Sequence, residues 1–183
     1  FREIAMRKAY LSEPIETIYF GGGTPSLLTS LQLRQLVNEV YKHFDVLSNA
    51  EITLEANPDD LTLKKLNECH EAGINRLSIG IQSFHPPHLT FLNRSHTTEQ
   101  ASTCVKRAQE IGFDNITIDL IYAIPTDDHT VWQNDLAQAL LLDIDHISAY
   151  CLTIEEKTVF GSWQKKGIIQ PIDDEFAAHQ FDM

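Results

Sequence analysis

The chain has 183 residues, of which 43% are hydrophobic and 22% charged, a composition typical of a folded globular domain rather than of a disordered chain. Its formal net charge of −12 argues against nucleic acid, DNA included, and against anionic membranes as partners, since both attract positively charged surfaces. No apolar run is long enough to span a bilayer and no signal-peptide pattern is present, so we expect a cytoplasmic protein.

Strand-like and helix-like segments alternate along the chain. Short runs rich in β-branched and aromatic residues predict strands at 15–20, 50–58, 75–84, 115–125 and 145–152. Apolar stripes at helical spacing predict helices between them at 29–44, 63–72, 97–112 and 128–142. Thr29 or Ser30 is the expected N-cap of the first of these helices, Thr62 caps the second, and Gly73 and Gly112 end the second and third.

This alternation predicts an α/β fold with about five βα units and a parallel sheet. The sheet is either doubly wound or part of a (β/α) barrel. No low-complexity linker interrupts the chain, so we expect residues 1–183 to form one domain. Helix-like segments occupy both ends, at 1–11 and 174–183, and we therefore expect the domain to be truncated at both ends.

Three of the predicted strands have one apolar face and one small or polar face. The apolar face comprises Ile52, Leu54, Leu77, Ile79, Ile81, Ile116, Ile118 and Leu120. The opposite face comprises Thr53, Glu55, Ser78, Gly80, Gln82, Thr117 and Asp119. A strand covered by helices on both faces would be apolar throughout, so this parity favours a barrel with helices outside and a polar lumen. Such a lumen either binds a polar ligand, which we favour, or holds a self-satisfied network of buried polar groups.

The ionisable members of the polar face lie late in their strands. Glu55, Gln82 and Asp119 stand near the carboxyl ends, where ligands bind in parallel α/β folds. Three glycines, residues 21–23, follow the first strand at the same edge. Glycine lets a ligand reach bare backbone N–H and C=O groups, which can bind an amino acid or a phosphate.

Six motifs, in order, resemble the radical S-adenosylmethionine (SAM) family of oxygen-independent coproporphyrinogen III oxidase-like proteins. They are "YFGGGTPSLL", "EITLEANPD", "RLSIGIQSF", "FLNRSH", "ITIDLIYAIP" and "HISAYCLTIEEKT". The residues of the segments "YFGGGTPSLL" and "EEKTVFGSWQKKG" are most similar to those of the heme-chaperone branch of that family. The resemblance implies a partial parallel (β/α) barrel of the radical SAM type that binds SAM at the carboxyl ends of its strands.

The resemblance also implies roles for individual residues. Gly22, Gly23 and Thr24 would meet the amino group of the methionine moiety of SAM. Glu55 would face the polar atoms of SAM.

Four further residues complete the implied SAM site. Gln82 and Arg94 would contact the carboxylate end, a role that suits the forked guanidinium of arginine. Asp119 would hydrogen-bond the ribose or a nearby part of the nucleoside, and Tyr150 would line the lumen near the adenine. Without the resemblance, Arg94 would be interpreted as an exposed loop cation.

The family binds a [4Fe-4S] cluster through a CxxxCxxC loop, and this sequence lacks that spacing. Its three cysteines, Cys69, Cys104 and Cys151, lie far apart, and the first two fall on apolar helix faces. We therefore predict no metal ligand here and expect the cluster only in the full-length protein. This chain alone should not cleave SAM, and the sequence assigns no catalytic residue.

The resemblance implies a role in heme or porphyrin metabolism, as a heme chaperone. The alternative within the family is a true coproporphyrinogen III decarboxylase, in which a 5′-deoxyadenosyl radical takes hydrogen from a propionate, so whether the protein is an enzyme stays open. A third interpretation is a phosphate-binding (β/α) barrel enzyme. His85, His88 and His96 are expected to be solvated loop residues and not heme ligands. Contact with a membrane or a heme-acceptor protein is expected to involve regions outside this chain.

Overall fold

A computed structural model describes residues 1–126 and 128–183. Within them, five strands alternate with eight α-helices and one 3₁₀ turn. The strands are β1 (Ile15–Phe20), β2 (Val46–Ala56), β3 (Arg76–Gln82), β4 (Asn115–Tyr122) and β5 (His146–Cys151). The helices are α1 (Arg2–Met6), α2 (Ser30–His43), α3 (Leu63–Glu71), α4 (Pro86–Phe91), α5 (Thr98–Ile111), α6 (Thr130–Leu140), α7 (Val159–Lys165) and α8 (Asp174–Phe181), and the 3₁₀ turn is Pro25–Leu27.

The strands pair in chain order, and every neighbouring pair is parallel. A doubly wound sheet reverses direction at a switch point, whereas here each crossover adds its strand on the same side. The sheet therefore curls as part of a (β/α) barrel with five βα units, and the predicted fold class is confirmed.

The predicted helix ends follow from local capping. Thr29, not Ser30, is the N-cap of α2, and with Gln32 it forms a reciprocal capping box. Thr62 accepts a hydrogen bond from the Lys65 amide at the start of α3. Gly112 ends α5 at φ 108°, a left-handed conformation that costs glycine little.

Several boundaries differ from the expectation, and one helix was not expected. Strand β2 begins at Val46, before the predicted start, and β4 ends at Tyr122. Helix α4, over "PPHLTF", was not predicted because its two prolines read as a loop, although proline is well tolerated in the first turn of a helix.

The core lies between the sheet and the helices on its outer face. The apolar strand residues Leu54, Leu77, Ile79 and Ile118 are fully buried there. They pack with helix residues that include Leu33, Val37, Leu66, Cys69, Cys104, Val105, Ala108 and Trp132. The predicted division of these three strands, β2, β3 and β4, into an apolar outer face and a polar inner face is thus confirmed.

The amino-terminal half of the polar face is a network of mutual hydrogen bonds. The Arg76 guanidinium donates to Thr117 Oγ1 at 2.6 Å, to Thr53 Oγ1 at 3.2 Å, to Asn115 Oδ1 at 3.1 Å and to Glu51 Oε1 at 3.4 Å. These five side chains form what we call the lumen floor. The alternative of a self-satisfied polar network therefore holds for this half of the face, and only the carboxyl-terminal half is left for a ligand.

Across residues 1–126 and 128–183, no helix combines the length and the apolar composition that crossing a membrane requires.

Replacing Arg76 with alanine should lower the free energy of unfolding by about 2 kcal/mol, because the floor's acceptors would lose a shared charged donor. The control is Arg107→Ala, an exposed position on α5, where a change within about 0.5 kcal/mol is expected. Urea unfolding measures the free energy of unfolding of both variants. Equal unfolding free energies in the two variants would show that the lumen floor does not contribute to stability.

Candidate functional site

A polar cleft opens at the carboxyl ends of β1 to β4, above the lumen floor. Its volume is about 170 Å³ and its lining residues are Gly23, Thr24, Pro25, Glu55, Ala56, Asn57, Ser78, Gly80, Gln82, Arg94 and Asp119. Six of the eight site residues predicted from the sequence are among them. Since ligand pockets usually measure about 300–1,000 Å³, this cleft can enclose one polar part of a larger ligand.

The glycine turn after β1 closes onto Glu55. The Gly22 amide donates to Glu55 Oε2 at 2.9 Å, and the Tyr19 hydroxyl donates to Oε1 at 2.9 Å. At Gly21 a Cβ atom would lie 2.8 Å from both Glu55 Oε1 and Tyr19 Cε1, so no other residue fits without displacement. Gly22 and Gly23 have φ values of 76° and 65°, which strongly favour glycine. The three glycines therefore meet two requirements, close approach at the first and left-handed backbone at the others.

Asp119 faces the cleft from β4 and lies beside Ser78 of β3. The Ser78 hydroxyl is 3.4 Å from Asp119 Oδ1. Burial raises the pKa of Asp119, the Ser78 hydrogen bond opposes the rise, and the charge of Glu55 adds to it. The cleft thus holds two carboxylates whose mutual repulsion favours a positively charged ligand group between them.

Arg94 is the cation among the residues that line the cleft. Its Nη1 lies 3.5 Å from Asn57 Oδ1, at the outer limit of a hydrogen bond. Burial lowers the pKa of Arg94, and the charges of Asp59 and Asp119 oppose this. Because arginine remains protonated in proteins, a fixed positive charge stands at this end of the cleft. The interpretation as an exposed loop cation is wrong.

Gln82 ends β3 in a left-handed conformation, with φ 70°. A Cβ at Gly80 would lie 2.7 Å from Gln82 Nε2, so the missing side chain at Gly80 makes room for Gln82. Gln82 is buried and its side chain lines the cleft.

Two of the predicted site residues do not line the cleft. Gly22 donates its amide hydrogen bond to Glu55, which does line the cleft. Tyr150 lies on β5 and is 56% exposed, outside the cleft lining. A role for Tyr150 in contacting a ligand remains a prediction.

Sequence reasoning missed Tyr19 and Asn57. Asn57 lies two positions after Glu55, so strand parity carried to the end of β2 would have found it. Tyr19 pairs in register with Thr53, and the same parity argument applied to β1 would have placed it on the lumen side.

The expected environment of the histidines is wrong for two of them. His88 is 8% exposed on α4, and His96 is 3% exposed with Nε2 3.0 Å from the Ile81 carbonyl oxygen. The unpredicted helix α4 buries His88 because it turns that side chain inward, where a loop would have left it in solvent. That these histidines are not heme ligands remains a prediction.

The cysteines are not arranged as cluster ligands. Cys69 and Cys104 are buried, as expected, and burial raises the pKa of their thiols to about 11 and about 12. Thiols of this kind are protonated at neutral pH, whereas iron–sulfur clusters are held by thiolates. Within residues 1–126 and 128–183, no group of three or more His, Cys, Asp or Glu side chains could hold a metal ion. The residues present do not fit a [4Fe-4S] cluster.

Comparison with known proteins identifies the family of this chain. The model of the Radical SAM superfamily matches residues 1–134. The chain belongs to the radical SAM superfamily. Membership implies SAM and a [4Fe-4S] cluster as the cofactors of the family.

Two curated proteins that the chain resembles are heme chaperones. The chain is 40% identical to the heme chaperone HemW of Bacillus subtilis, over 92% of this chain and 45% of that protein. It is 38% identical to the heme chaperone HemW of Lactococcus lactis, over 90% of this chain and 44% of that protein. The chain spans less than half the length of these relatives.

A solved structure supports the same relationship. Coproporphyrinogen III oxidase (HemN) from Escherichia coli, described as a radical SAM enzyme, superposes with a TM-score of 0.84 at 27% sequence identity. The match covers 99% of this chain and 42% of that one. The resemblance to this family and to its heme-chaperone branch is therefore confirmed.

His88 should make stability depend on pH. Burial, helped by the charge of His85, lowers the pKa of His88 from 6.5 to about 4. As the pH falls through this window, the unfolded chain takes up a proton that the folded protein refuses, so the free energy of unfolding falls. Between pH 7 and pH 5 the loss from this group should be about 2 kcal/mol.

Urea titrations at both pH values test this, with His88→Leu as the variant that removes the group. His146→Leu, an exposed position on β5, is the control and should keep the parent's pH dependence. An undiminished pH dependence in His88→Leu would contradict the assignment.

Proposed function

We propose that the cleft binds SAM and that this chain is the SAM-binding barrel core of a protein acting as a heme chaperone. The observation that carries the first part is the meeting of the glycine turn, two carboxylates and one guanidinium in a single cleft. We also propose that residues 1–183 form one domain.

The charges of the cleft complement those of SAM. SAM carries an ammonium, a sulfonium and a carboxylate, for a net charge of +1. Glu55, Asp119 and Arg94 together contribute −1 where both carboxylates are ionised. Opposite charges placed face to face favour binding and fix the orientation of a ligand.

The proposed contacts follow from the donors and acceptors of the cleft. Arg94 would bind the SAM carboxylate with its forked guanidinium, with Gln82 beside it. Gly23, Thr24 and the free lone pairs of Glu55 would receive the ammonium group. Asp119 would accept hydrogen bonds from the ribose hydroxyls. The adenine would extend from the small cleft along the lumen toward Tyr150.

SAM supplies a radical when a reduced cluster donates an electron to it. The cysteines of this chain do not have the spacing or the thiolate character that such a cluster needs, so we expect this chain by itself to bind SAM without cleaving it. The contribution of its own residues is to orient the methionine end of SAM and to hold its charges away from bulk water.

Heme is the proposed cargo, by similarity to the two HemW chaperones. The second candidate, oxidative decarboxylation of coproporphyrinogen III, is favoured by one observation, the superposition on HemN over nearly the whole chain. Sequence identity is higher to the chaperones, at 38% and 40%, than to the oxidase, at 27%, and we rank the chaperone first.

The cleft geometry disfavours a phosphate site. The Gly22 amide, which an anion would need, already donates to Glu55. Glu55 and Asp119 would also repel a phosphate.

Glu55→Gln or Asp119→Asn should weaken SAM binding by tenfold or more, about 1.4 kcal/mol each, because each removes one negative charge that faces the ligand. Calorimetry on the full-length gene product, reconstituted without oxygen, measures the dissociation constants. The matched controls are Glu110→Gln and Asp114→Asn, exposed on and just after α5, which should bind like the parent. Parent-like affinity in both cleft variants would refute the SAM assignment.

The two family functions give opposite results in one pair of assays. A heme chaperone should bind heme and leave coproporphyrinogen III unchanged when SAM and a reductant are supplied. Release of carbon dioxide from coproporphyrinogen III would instead support the decarboxylase and overturn the chaperone assignment.

A further inference from the structure

The turn that follows β3 is strained. The Ser83 amide donates to the Ile81 carbonyl oxygen at 2.9 Å, which closes a three-residue turn around Gln82 at φ 70°. Turns of this shape with a positive φ are rare, and a non-glycine residue held in that conformation is strained. The pairing of β3 with β4 shifts register just before it, between Ile79 and Gln82.

The strain occurs at a ligand-facing residue. Gln82 folds back over Gly80 and is 7% exposed among the cleft residues. Strained backbone persists only where surrounding structure holds it, so other side chains must fix this turn.

Asp135 holds one side of the turn from outside the cleft. It belongs to α6, is 2% exposed, and accepts hydrogen bonds from Ser83 Oγ at 2.6 Å and from the Phe84 amide at 2.7 Å. Ser83 Oγ in turn accepts from the His85 amide at 3.0 Å. A buried carboxylate is costly unless it is hydrogen-bonded, and both oxygens of Asp135 bind this one turn.

His96 holds the other side. Its Nε2 lies 3.0 Å from the Ile81 carbonyl oxygen, the same atom that closes the turn, so this nitrogen carries the donating proton. His96 is two residues after Arg94, which lines the cleft beside Gln82. The imidazole therefore ties the loop that bears Arg94 to the turn that bears Gln82.

We propose that Asp135 and His96 are positioning residues, which hold the strained turn so that the Gln82 side chain faces the ligand. This inference rests on the proposed function of the cleft as a SAM site. Neither residue lines that cleft. A purely structural role is the competing explanation, and it predicts lost stability without any specific link to Gln82.

A double-mutant cycle in the full-length gene product separates the two explanations. Asp135→Ala should weaken SAM binding about tenfold in the parent, and less than twofold when Gln82→Ala is already present, because the side chain it positions is gone. Asp128→Ala is the matched control, since Asp128 is exposed and receives the Thr130 amide at 2.8 Å at the start of the same helix. Asp128→Ala should lower the free energy of unfolding without changing the affinity for SAM.

Equal losses from Asp135→Ala in both backgrounds would overturn the inference and leave the SAM site intact. Failure of the unaltered protein to bind SAM would instead overturn the proposed function. If Asp135→Ala does not fold, two other variants test the same inference. Ser83→Ala removes one of the two hydrogen bonds that Asp135 accepts from the turn. His96→Phe removes the hydrogen bond to the Ile81 carbonyl oxygen and keeps an aromatic ring of similar volume. Both are expected to show the same dependence on Gln82.

Amide hydrogen exchange gives a readout that needs no SAM. In the unliganded protein, the Ser83 and Phe84 amides should exchange at least tenfold faster in Asp135→Ala than in the parent. Asp135→Asn, whose amide oxygen can still accept one hydrogen bond, should restore part of the protection. Unchanged exchange at both amides would show that Asp135 does not hold the turn.

Discussion

The alternation of side chains across parallel strands is the constraint on which the rest of this structure depends. Because every crossover winds the same way, each strand gives one face to the helices and the other to the lumen. The helix side takes Leu54, Leu77 and Ile118 into a continuous core. The lumen side is then free to collect polar groups near the carboxyl ends, and that is how carboxylates from β2 and β4 come to face the same cleft across β3.

The polar face has two different uses along its length. At the amino end, Arg76 satisfies the groups around it, and the network needs no further partner. At the carboxyl end, Glu55 uses part of its hydrogen-bonding capacity on the glycine turn, while Asp119 and Arg94 keep most of theirs. The same alternation of residues thus stabilises one half of the lumen and equips the other half to bind a ligand. In β2 the two uses are separated by the step from Thr53 to Glu55, and in β4 by the step from Thr117 to Asp119.

The alternation of segments and the strand parity were enough to predict the barrel and the strand residues of the cleft, whereas Thr24 and Arg94 came only from the resemblance to the family. Glu55, Gln82 and Asp119 follow from counting by two, and the helix ends at Thr62 and Gly112 follow from capping chemistry. Parity could not predict that Gln82 turns left-handed, because that conformation depends on Asp135, more than fifty residues later in the chain. It also gave no sign of α4, since "PPHLTF" lacks a recognisable apolar stripe. Contacts between segments far apart in the chain could not be predicted from the sequence.

The lumen floor has a consequence for solvent. Buried donors and acceptors that lack a protein partner usually hold ordered water molecules. Here the wall beneath the cleft is polar, yet Arg76 and its partners form hydrogen bonds with one another. Between β2 and β4 the floor therefore offers solvent fewer free donors and acceptors than its polar composition suggests, and the groups that can still bind a small polar molecule are those of the cleft above it.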